Sequence, residues 1–133
     1  MKAIANVQSH ATSNPSSISQ RATLRGLTGD QSFIEKMRLE FQSRRDYMLG
    51  RISRMKNVSC IRPEGAFYVF CDISRTRRTS VQTANDMLEK AGTAVIPGAP
   101  FGEDGFIRLS FATGMETIKK GMDRMEEYFA KNG

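Results

Sequence analysis

Residues 66–73 read Ala-Phe-Tyr-Val-Phe-Cys-Asp-Ile, the stretch that most restricts what this chain can become. Aromatic and β-branched residues crowd it, which suits a pleated strand and little else. It is nearly continuous in apolar residues, so both of its faces are expected to be covered. A covered strand needs partners and helices to cover it. The chain offers both. Val58–Ile61, Ala94–Pro97 and Phe106–Phe111 read as further strands, and Arg62-Pro63-Glu64-Gly65 as a turn.

Four helical stretches accompany the strands, beside a weakly helical 1–8. Ser16 or Ser17 can cap a helix that Gly29 closes, after a hydroxyl-rich loop ended by Asn14-Pro15. Asp30 can cap a long helix reaching about Lys56, with Ile34, Met37, Phe41, Met48, Ile52 and Met55 at three- and four-residue spacing. Ser80 is read as the cap of a third helix, with Val81, Ala84, Leu88 and Ala91 inward and Gly92 as its stop. A last helix from about Met115 to Ala130 carries the stripe Ile118, Met122, Met125 and Phe129. The pattern predicts an α/β or α+β fold: a small mixed sheet of three to four strands packed with helices, with at least one β-α-β passage.

Composition narrows the function. With 133 residues, 39% hydrophobic and 26% charged, the chain suits one soluble globule. No apolar run is long enough for a membrane span and no signal peptide is evident, so the expected compartment is the cytoplasm. Cys60 and Cys71 lack metal-type spacing and read as buried reduced thiols; no metal site is expected. His10, the one histidine, has no nucleophile placed to partner it. The net charge of +6 raises nucleic acid as a partner, yet the arginines are scattered and Arg75, Arg77 and Arg78 have no interleaved aromatics, so no nucleic-acid role is expected.

The chemistry gathers in Ala94–Thr113, a strand, a Gly/Pro-rich loop and a second strand. In Phe106–Phe111, Ile107, Leu109 and Phe111 share one face, and Phe106, Arg108 and Ser110 the other. An arginine in so apolar a strand has two readings. It faces water at a sheet edge, or its planar fork receives a carboxylate through two parallel hydrogen bonds.

Three pieces, taken in order, choose between them. They are Ser9–Gln20 (SHATSNPSSISQ), Pro63–Tyr68 (PEGAFY), and Val95–Gly102 (VIPGAPFG) followed by Ile107–Ala112 (IRLSFA). Together they resemble the C-terminal portion of pyridoxal-phosphate-dependent aminotransferases of classes I and II, the aspartate aminotransferase type, over essentially the whole chain. The resemblance implies a fold like the small domain of aspartate aminotransferase for residues 30–133. Residues 1–29 would belong to the large domain and the dimer interface of a parent enzyme.

It also implies that Arg108 binds the substrate α-carboxylate, beside the Pro97–Gly102 loop. Ser13 and Asn14 would lie at a homodimer interface near the partner's cofactor phosphate. The implied parent reaction moves an amino group between an amino acid, with aspartate a candidate, and a 2-oxo acid, on pyridoxal phosphate. One departure matters. The family's Schiff-base lysine sits in a Ser-Lys pattern followed by a Gly-x-Arg phosphate contact, and none of Lys2, Lys36, Lys56, Lys90, Lys119, Lys120 or Lys131 has that setting. Met1 is therefore expected to start a truncated reading frame, and the isolated chain to be inactive without specific cofactor binding. The alternative is a stand-alone, non-enzymatic module that binds a carboxylate or a protein.

Overall fold

The structure, a computed structural model, describes residues 1–132. It divides into two compact units, Met1–Lys36 and Met37–Gly133. The first unit holds helices α1 (Lys2–Ala11) and α2 (Ser17–Thr28) and the start of α3 (Ser32–Ile52), which crosses into the second unit. Helix α1 runs three residues past the expected 1–8, into the stretch read as loop. Ser16 caps α2: its Oγ accepts from the backbone N–H of Ser19. Both helices are exposed along their length, Ile4, Val7, Ile18 and Leu24 included.

The second unit contains β1 (Ser59–Cys60), β2 (Tyr68–Asp72), α4 (Ser80–Ala91), β3 (Ile96–Pro97), β4 (Phe106–Ser110) and α5 (Met115–Asn132). Strand order is β1-β2-β4-β3. Every adjacent pair is antiparallel, where a mixed sheet was expected. The expected β-α-β passage is present as β2-α4-β3. Its two parallel strands are held apart by β4, which inserts between them. Strand β2 starts at Tyr68 and not at Ala66, because Ala66 takes a left-handed conformation (φ 61°) that an extended chain excludes.

The core lies on one side of this sheet. Val69, Cys71 and Ile73 meet Ile107, Leu109 and Phe111, with Met48 and Ile52 of α3, Met87 of α4, and Ile118, Met122, Met125 and Phe129 of α5. The α5 stripe is the one its spacing predicts. Helix α4 is rotated from its expected face: Val81 and Leu88 are exposed, while Ser80, Thr83, Ala84 and Met87 are buried. Helix α3 buries only its C-terminal end; Ile34 and Met37 are exposed. It stops at Ile52, four residues short of Lys56, and Asn57 just beyond is left-handed (φ 62°).

The expectation that strand 66–73 is covered on both faces fails within this chain. Burial along β2 alternates, with Val69 and Cys71 buried and Tyr68, Phe70 and Asp72 only partly so. The second face of the sheet is apolar and open. Among the described residues no helix is long and apolar enough to cross a membrane.

Candidate functional site

The open face is built by register. Phe70 and Ile96 stand opposite Arg108 on the two neighbouring strands. Directly opposed residues share a face, so Phe70, Ile96 and Arg108 form one row. Phe106 stacks on Phe70 with ring centroids 4.9 Å apart at 19°. Arg108 is half-buried, while Ile107, Leu109 and Phe111 on the opposite face are buried, as the period-two reading has it.

Two aromatic rings hold the guanidinium. The Arg108 Cζ lies 5.0 Å from the centroid of Tyr68 and 4.9 Å from that of Phe101. Such cation–π contacts orient the planar group while leaving its N–H donors free for an in-plane acceptor. Among the described residues, no hydrogen bond or ion pair engages the Arg108 guanidinium. A fixed cation with unused, co-planar donors can receive a carboxylate through two parallel hydrogen bonds.

Phe101 arrives from the loop between β3 and β4. Ala99–Phe101 form a single 3-10 turn, closed by the Phe101 N–H donating to the Gly98 carbonyl at 2.7 Å. Gly98 is required there. Its N–H donates to Phe106 O at 2.8 Å, and a Cβ at this position would collide with the carbonyl oxygens of Glu103 and Phe106. Gly102 ends the turn at φ 87°.

A buried serine pins this loop from below. Ser80, wholly buried, donates its Oγ proton to Asp104 Oδ1 at 2.6 Å and accepts from the Ala99 N–H at 3.1 Å. Its own N–H donates to the Asp104 carbonyl at 2.8 Å. Ser80 is therefore the first residue of α4 and not its cap. Thr79 takes that role in a capping box with Gln82.

The sequence reading missed Tyr68, Phe101 and Ser80 as builders of the site. Tyr68 had a visible signal, since it lies in period with Phe70 on the strand face opposite Val69. Phe101 had none beyond its place in a Gly/Pro-rich loop. Ser13 and Asn14, the other two residues singled out, are exposed and belong to the first unit, between α1 and α2. Ser13 is left-handed (φ 57°) and donates its N–H to the Gln8 carbonyl at 3.2 Å.

None of the described lysines lies in an enclosed site of the kind a pyridoxal-phosphate lysine needs. All seven lysines are exposed. Six lie on helices and Lys56 in the turn after α3, so none is on the sheet that carries Arg108. An imine-forming lysine needs a walled, desolvated site that lowers its pKa.

Comparison with known proteins gives the same family from three directions. The family model "Aminotransferase class I and II" matches residues 1–125. A Rickettsia felis protein named "Probable aspartate/prephenate aminotransferase" is 41% identical over 136 residues, covering 95% of this chain and 33% of that protein. An aspartate/prephenate aminotransferase of Cereibacter sphaeroides is 38% identical, covering 98% and 35%. Among solved structures, the aspartate aminotransferase of Rhizobium meliloti superposes with a TM-score of 0.88 at 35% identity, over 98% of this chain and 35% of that one. The chain thus spans about a third of the length of the relatives it matches. It belongs to the class I and II aminotransferase family.

Proposed function

We propose that this chain is the C-terminal, carboxylate-binding part of a pyridoxal-phosphate-dependent aminotransferase that moves an amino group between an amino acid and a 2-oxo acid. The observation that carries the reading is Arg108, half-buried between the rings of Tyr68 and Phe101 with no acidic partner among the described residues. Its fork takes the α-carboxylate common to both substrates. Held at two points, the substrate keeps one orientation of its Cα–H bond. The names of the relatives make aspartate and prephenate the first substrates to test. The test is Arg108→Lys in the full-length enzyme. Lysine keeps the charge and loses the fork, which removes about 1.5–3 kcal/mol of charge-assisted bonding. That corresponds to a fall of about 10- to 100-fold in kcat/KM. Unchanged kinetics would remove Arg108 from the role.

The cofactor and its lysine belong, on this reading, to the part of the enzyme that the chain does not include. The isolated chain is then inactive. Mixed with pyridoxal phosphate, it is expected to give only the nonspecific imine absorbance of surface lysines. With aspartate and 2-oxoglutarate it is expected to give no turnover above that of free cofactor. A stoichiometric imine at a single lysine together with turnover would overturn this assignment. Residues 1–29, with Ser13 and Asn14, are read as large-domain and dimer-interface elements. Their exposed Ile4, Val7, Ile18 and Leu24 support that reading.

A further inference from the structure

The two cysteines do not behave as isolated core thiols. Cys60 is half-buried on edge strand β1, not buried as its sequence context suggests, and Cys71 is wholly buried on β2. The β1–β2 register sets them directly opposite each other. Opposed residues of an antiparallel pair have Cα atoms about 4.5–5.5 Å apart and side chains on one face. A disulfide spans Cα separations of about 4.4–6.8 Å, so the backbone already meets that requirement. Cys60 is only half-buried at the edge of the sheet, which gives small molecules access to the pair from its side.

We propose that Cys60 and Cys71 form a reversible dithiol–disulfide site, oxidised by a hydroperoxide, that staples β1 to β2. The Cys60 thiolate attacks the peroxide: an S–O bond forms, the O–O bond breaks, and the leaving oxygen takes a proton. The Cys71 sulfur then attacks the Cys60 sulfenic sulfur. The S–S bond forms, the S–O bond breaks, and water leaves with the Cys71 proton. Two thiols are oxidised by two electrons and one peroxide is reduced. A small dithiol reverses the reaction.

The division of labour follows from the placement of the two thiols. The neighbouring Cys71 thiol holds the Cys60 thiol below the ordinary cysteine value of 9.0, which favours the attacking thiolate. The Cys60 thiol beside it, with burial, pushes Cys71 well above that value, which suits the residue that keeps its proton until the second step.

The folded 133-residue chain is treated with hydrogen peroxide, alkylated in denaturant and weighed intact. The expected product is two hydrogens lighter, loses both alkylatable thiols and regains them with dithiothreitol. Cleavage at Glu64, which lies between the two cysteines, leaves the Cys60 and Cys71 peptides linked. Oxidation in the folded state is faster than in urea, because the register supplies the proximity. Cys71→Ser and Cys71→Ala stop at a Cys60 sulfenic acid that dimedone traps. Cys60→Ser leaves Cys71 reduced. Unlinked peptides, dimers cross-linked through Cys60, or equal rates in the folded and urea-unfolded wild-type chain would each overturn the proposal, whether or not the variants fold.

Discussion

Arg108 is held by rings and Ser80 by hydrogen bonds, and the two are connected through one loop. Ser80 Oγ bonds both ends of the segment that presents Phe101, at Ala99 and at Asp104. Replacing it with alanine leaves the Ala99 N–H without its partner in a partly buried setting. Ser80→Ala is expected to lower unfolding stability by about 1–3 kcal/mol, read from urea midpoints. In the full-length enzyme it should also raise KM for the amino acid, because Phe101 no longer holds the guanidinium at rest. A variant with wild-type midpoint and KM would show the loop to be held by its glycines alone. This dependence could not be read in advance. The alternation of Ile107, Arg108 and Leu109 is local and was legible; the bond between residues 80 and 104 exists only after α4 has docked.

At the scale of elements, α3 and α5 are tied by one arginine. Arg51 donates from Nε to Glu126 at 2.6 Å, from Nη2 to Glu126 at 2.7 Å and Asp123 at 2.6 Å, and from Nη1 to the Tyr47 hydroxyl at 2.6 Å. The bond to Arg51 holds the Glu126 carboxyl below its ordinary value of 4.5. A carboxylate with a depressed folded-state pKa stabilises the fold above its unfolded value, and that contribution is lost as pH falls through the folded value. The chain should therefore lose stability in acid below about pH 4.5. Glu126→Gln should cost about 1 kcal/mol at neutral pH, because the pair is partly solvated, and should make the acid branch shallower. An identical acid branch in both proteins, followed by circular dichroism, would show the pair to be inert.

The helix faces divide in the same way between what patterns reveal and what docking decides. Helix α5 has four apolar residues at clean spacing and no competing stripe, so its buried face was readable. Helix α4 offers two stripes. Burial chose Ser80, Thr83 and Met87 over Val81 and Leu88, since only the first stripe brings Ser80 to Asp104. The long α3 pattern is genuine, yet half of it finds no cover within this chain.

For the molecule as a whole, apolar side chains left open are the main theme. Ile4, Val7, Ile18, Leu24, Ile34 and Met37 are all more than two-fifths exposed. Exposed apolar surface on this scale marks contacts with other protein. The chain is expected to self-associate through residues 1–29 in sedimentation velocity, and removal of those residues should leave the second unit folded and monomeric. A full chain that stays monomeric at high concentration would count against the interface role. The family was legible from three short motifs in order, because they mark turns and a charged strand position that packing alone would not select. The open aromatic face was not, since it reverses what so apolar a strand normally signals.

That open sheet invites the hazard of strand addition, in which another chain continues the hydrogen-bond ladder. Here both borders are poor templates. Strands β1 and β3 are two residues each, and β3 ends in Pro97, which has no N–H to donate. An incoming strand would find too few unpaired N–H and C=O groups to lock its register. The sheet can therefore leave its aromatic side uncovered while its short, proline-ended rim discourages fibrous growth.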